Sequence, residues 1–109
     1  MNNQIGFNPL YSDDAPTFGS ISELSGDAIL EFGAPWCQHC QASQNAVEEV
    51  FTDYKNLPHI KIHDGKGKIL GRKFKVKLWP TLIKLHKGKE VSRIVRPLLA
   101  SEVRQFIEQ

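Results

Sequence analysis

Residues 32–43 read FGAPWCQHCQAS. This stretch holds both cysteines of the chain, Cys37 and Cys40, with Gln38 and His39 between them and Trp36 in front. On its N-terminal side, AILEF (residues 28–32) is a short, mostly apolar run after the turn signal Gly26–Asp27, as a buried strand requires. On its C-terminal side, Ala46, Val47, Val50, Phe51 and Tyr54 recur at helical spacing. A helix from near Cys37 to Tyr54 is predicted, with Pro58 beyond its end. The thiols thus lie where a strand hands over to a helix.

Working outward, HIKIH (59–63) alternates as a strand does, DGKG is a turn, and KILGRKF reads as a short helix despite Gly71. TLIKLH (81–86) and KEVSRIV (89–95) flank the turn Lys87–Gly88, so they form an antiparallel hairpin. Ser101 is the expected cap of a last helix that turns Val103, Phe106 and Ile107 inward. Upstream, FGSISELSG is expected to give a short strand and then one or two helical turns. Met1–Pro16 is polar and turn-rich, and reads as a loose arm ahead of a single domain over residues 17–109. The economical packing is α/β: a mixed central sheet with helices on both faces.

The 109 residues fit one domain. No apolar run approaches the roughly eighteen residues of a membrane span. A net charge of +2 is too balanced to imply a nucleic-acid or membrane partner. Lys66, Lys68, Arg72, Lys73, Lys75 and Lys77 form a basic run, read as a solvated face rather than a docking patch. The N-terminus has neither a basic start nor an apolar segment; either the protein stays in the cytoplasm or a leader has been removed ahead of Met1, and the cytoplasmic reading is the simpler expectation.

Two cysteines at i and i+3 admit four readings. A structural disulfide would close a very small loop and stabilise little. Zinc needs four ligands, and no second cysteine pair exists, so no metal is expected. Inert core thiols fit poorly with flanking Trp, Gln and His. A redox pair fits best: Cys-x-x-Cys beside a strand–helix crossover is a thioredoxin-like pattern. A helix N-terminus favours an anionic sulfur on Cys37, which attacks, while Cys40 lies one turn further in to resolve the mixed disulfide. His39 between them favours the reduced form and makes the disulfide more oxidising.

These residues resemble the thioredoxin family. EFGAPWCQHC is similar to the active-site segment of protein disulfide isomerase domains, and LWPTLIKLHKGKEV (78–91) to the family's cis-proline segment and hairpin. The resemblance runs from about Ala28 to the C-terminus. It implies the thioredoxin fold, Cys37 as nucleophile and Cys40 as resolving thiol. It further implies Pro80 as the cis-proline that leaves the preceding backbone open to substrate. Glu31 matches the family's buried acid, and desolvation is expected to raise its pKa and suit it to exchange a proton with Cys40. Lys61 is placed near that acid, and Trp36, Trp79 and Gln38 at the substrate surface. Gly33 stands where the family usually has an aromatic, Asn45 where it has a kinking proline, and Trp79 where a small aliphatic is usual. His59, His63 and His86 receive no role.

The expected function is a thiol–disulfide oxidoreductase acting on protein disulfides, without metal or organic cofactor and working as a monomer: a reductant recharged by a reductase in a cytosol, a carrier or reshuffler of disulfides in an oxidising compartment. The alternatives are a binding module that docks a partner through Trp36, Trp79, Pro80 and the basic run, with the cysteines as a redox sensor, and a metal or iron–sulfur centre bridged by Cys37 of two chains.

Overall fold

The structure, a computed structural model, describes residues 5–109. Its sheet contains β1 (Asp27–Gly33), β2 (His59–His63), β3 (Thr81–His86) and β4 (Lys89–Val95) in the order β2-β1-β3-β4. β1 runs parallel to β2 and antiparallel to β3, and β3 and β4 form the hairpin. The helices are α1 (Phe18–Ser22), α2 (Gln38–Phe51), α3 (Ile69–Lys73) and α4 (Ala100–Glu108). The mixed sheet with helices on both faces is therefore as expected.

Strand alternation divides the core in two. Ala28, Leu30 and Phe32 pack with Ile60, Ile62, Ile83 and Leu85 against Ile21, Leu70 and Phe74, the face of α1 and α3. Ile29 and Leu82 pack against α2 and α4, through Ala46, Val47, Val50, Phe51, Val103, Phe106 and Ile107. Each large side chain fully buried here contributes roughly 1.5–3 kcal/mol. On β1 the α2 face carries Ile29, Glu31 and Gly33, so alternation alone puts a carboxyl and a glycine beneath the start of α2.

Four local expectations change. FGSISELSG forms no strand; Thr17 accepts the Ser20 N–H and caps α1 directly, leaving Ile21 to bury. The long helix stops at Phe51, because Asp53 and Tyr54 donate three residues back and tighten its end before Pro58 is reached. At α4 the cap position is Leu99, not Ser101; the Glu102 carboxylate reaches back to accept the Leu98 and Leu99 N–H groups.

The fourth change is the arm, whose first four residues lie outside the described ones. From Ile5 onward it is tied to the edge of β2 rather than loose. Gly6 donates to the Leu57 carbonyl at 2.8 Å, Ser12 donates to Lys61 O at 3.1 Å, and His63 donates to Ser12 O at 3.0 Å. Composition misled here, since polar residues that satisfy a strand edge look like solvated ones.

Candidate active site

Cys37 is the N-cap of α2, and its Sγ accepts the Cys40 N–H at 3.2 Å. Both cysteines are free thiols. Cys37 keeps 8% of its surface exposed, at the floor of an open cavity of about 570 Å³. The cavity is lined by Trp36, Gln38, His39, Lys77, Leu78, Trp79 and Arg96. The Cys37 side chain thus opens onto this cavity. Cys40 lies deeper, and burial together with the Cys37 sulfur pushes its thiol up to about 11.

Trp36 is two-thirds exposed and stands edge-on to Trp79, with ring centroids 5.5 Å apart. Trp79 is held from two sides. Its Nε1–H donates to Asp64 at 3.0 Å, and its carbonyl accepts the Arg96 Nε–H at 2.7 Å. The Trp79–Pro80 peptide is cis, the isomer that the resemblance implies. The Trp79 carbonyl already has a partner in Arg96, whereas the resemblance leaves that backbone to a substrate.

Below the thiols lies a buried polar cluster. The parallel register sets Glu31 beside Lys61, and Ile29 beside His59. Glu31 accepts from Tyr11 OH, from His59 Nε2 at 2.8 Å, and lies 4.0 Å from Lys61 Nζ. Nδ1 of His59 accepts the Asn8 N–H at 2.9 Å, so the ring proton sits on Nε2 and goes to Glu31. His59 is itself packed face-on against Phe51, centroids 4.6 Å apart. Lys61 reaches the Pro9 carbonyl at 3.2 Å and lies over the Tyr11 ring at 4.1 Å.

This cluster corrects the expected titration of Glu31. Burial does push its carboxyl up, but the hydrogen bond from His59, the Lys61 charge and the Tyr11 hydroxyl outweigh it and hold the carboxyl below its ordinary value. Lys61 is pushed down by burial, an effect that Glu31 partly offsets. Glu31 therefore rests as an ionised carboxylate among its donors.

The predicted site residues fall into two groups. Cys37, Gln38, His39, Trp36 and Trp79 line the open cavity, while Glu31, Lys61 and Cys40 lie beneath it. Residues that the sequence reading passed over complete both groups: Tyr11, Asn8 and His59 below, Asp64 and Arg96 beside Trp79. The one advance signal was Gly33. A side chain there would start 2.6 Å from both Cys40 Sγ and Tyr11 OH, so its absence lets the Tyr11 phenol in.

Known proteins similar to this chain agree with the geometry. The thioredoxin family model matches residues 14–109. The reduced form of thioredoxin 2 from Pseudomonas aeruginosa PAO1 superposes with a TM-score of 0.82 at 48% identity, covering 90% of this chain and 91% of that one. A thioredoxin from Nicotiana alata superposes with a TM-score of 0.69 at 26% identity, covering 84% of this chain and 78% of that one. A protein disulfide-isomerase from Aspergillus niger is 37% identical over 82 residues, 73% of this chain and 16% of the relative. The chain spans 16%, 34% and 59% of the first three curated relatives it matches. With this family match laid over a Trp-Cys-x-x-Cys motif at a helix start, the chain belongs to the thioredoxin family, whose members are thiol–disulfide oxidoreductases.

Proposed function

We propose that this chain exchanges disulfides with protein substrates through Cys37. The Cys37 sulfur attacks a substrate S–S bond, forms a mixed disulfide and releases one substrate thiol. The Cys40 sulfur then attacks Cys37, closes the intramolecular disulfide and releases the second. The substrate gains two electrons and two protons, and the Cys37–Cys40 pair gives them up. A reductase restores the dithiol in a reducing compartment such as the cytoplasm. The observation that carries this reading is the Cys37 sulfur capping α2 at the floor of an open, aromatic-walled cavity.

Glu31 takes the proton that Cys40 must lose before it attacks, and Lys61 holds the resulting charge balance. Trp36, Trp79 and Gln38 seat the substrate. In an insulin-type reduction assay, turnover supported by dithiothreitol should vanish in Cys37→Ser, and Cys40→Ser should trap the substrate on Cys37. A Cys37→Ser variant with full turnover would refute the proposal. The exposed Trp36 face also favours a second reading, a docking module with the thiols as sensor. No turnover in the intact chain, with partner binding that responds to oxidation, would select it.

A further inference from the structure

Cys40 is buried, so the proton it must lose needs a path to Glu31. The Tyr11 hydroxyl lies between the two. It donates to Glu31 Oε2, and it and Cys40 Sγ each lie 2.6 Å from the point where a Gly33 side chain would begin, which makes phenol and thiol neighbours. Gly33 makes this contact possible, as a side chain there would overlap both atoms. Lys61 is also close, but its ammonium has no lone pair with which to accept a thiol proton.

We propose that Tyr11 is a catalytic proton relay between Cys40 and Glu31. This inference rests on the function proposed above. As Cys40 turns toward the mixed disulfide, its S–H bond breaks and the proton passes to the Tyr11 oxygen. The Tyr11 O–H bond breaks in the same event and its proton passes to Glu31. The products are a Cys40 thiolate, a neutral Tyr11 and a protonated Glu31, with charge conserved. Both transfers are concerted because burial and the neighbouring carboxylate strongly disfavour a free phenolate at Tyr11. The thiolate is consumed as the new S–S bond forms, which draws the transfer forward. On re-reduction the path runs in reverse.

The test uses the full chain and one equivalent of dithiobis(nitrobenzoate), whose coloured thiol leaves twice. Cys37 attack releases the first and Cys40 resolution the second. Tyr11→Phe should slow the second release relative to the first by about a hundredfold, the low end of what general acid–base catalysis contributes. In a Glu31→Gln background the same change should add nothing. In mixtures of light and heavy water, the wild-type rate of the second release should fall along a curve, because two protons move together. A straight line there, or a Tyr11→Phe ratio equal to wild type, overturns the relay and leaves the proposed function standing. The solvent-mixture arm decides the matter even if Tyr11→Phe folds poorly. A wild type with no second release refutes the proposed function itself.

Discussion

Glu31→Gln is the substitution that probes the polar cluster most directly. It keeps the shape of the side chain and removes its charge. Glu31 is buried, with Lys61 Nζ 4.0 Å from its carboxylate. At an effective dielectric of about 20, two charges at that distance attract by about 4 kcal/mol. Lys61 keeps the Pro9 carbonyl and the Tyr11 ring but loses its counter-charge. Breaking a buried pair on one side costs about 3–5 kcal/mol. Because an amide is cheaper to bury than a carboxylate, the expected loss is at the low end, about 3 kcal/mol. That corresponds to a melting temperature lower by about 10–20 °C.

The sign with pH follows from the shifts. Glu31 is held below its ordinary value, so its stabilisation is full above the unfolded carboxyl pKa of about 4.3 and is lost as pH falls through the lower folded value. Lys61 is pushed down and falls further without Glu31, so the deficit of the variant should shrink again as pH climbs toward about 10. Urea unfolding at about pH 3, 7 and 10, read by tryptophan fluorescence, should show a small, large and reduced deficit in turn. A Glu31→Gln variant as stable as wild type at neutral pH, or a deficit that ignores pH, would show that desolvation wins and refute the reasoning.

Further outcomes follow from the same geometry. Gly33→Ala drives a methyl against Cys40 Sγ and Tyr11 OH, and should cost about 1–3 kcal/mol in urea unfolding. Gly88→Ala should cost about 1–3 kcal/mol by the same assay, because Gly88 holds φ +79° in the β3–β4 turn, with the Ser22 carbonyl 2.2 Å from the added atom. Alkylation of Cys40 by iodoacetamide, followed by mass spectrometry, should speed up tenfold per pH unit until about pH 11, where its thiol titrates; a plateau near neutrality would contradict this. Asp64→Ala removes the acceptor for Trp79 Nε1–H, and should raise KM for a protein disulfide severalfold while leaving kcat little changed.

Much of the fold was legible because the informative segments are strongly patterned. The strand–helix–strand run from Ala28 to His63 and the Thr81–Val95 hairpin follow from period and turn chemistry, and the Cys37–Cys40 spacing marks the helix start. Sequence pattern does not reveal what a polar residue meets across the fold. His59 lies on an alternating strand and received no role from the sequence, yet Phe51, Asn8 and Glu31 enclose it. The sign of the Glu31 shift depended on the donors around it, and two of those come from positions 20 and 28 residues away in the chain. Ser101 has the chemistry of a cap, but the backbone turns two residues earlier and Glu102 does the capping.

The tethered arm carries one more consequence. Asn8 and Tyr11 both precede residue 14, where the match to the family model begins. A fragment trimmed to that shared boundary would retain every helix, every strand and the dithiol, yet expose the carboxylate to bulk water. Grafting the first dozen residues onto a plainer relative that has a glycine at the matching position should therefore transplant chemistry, not merely a tail.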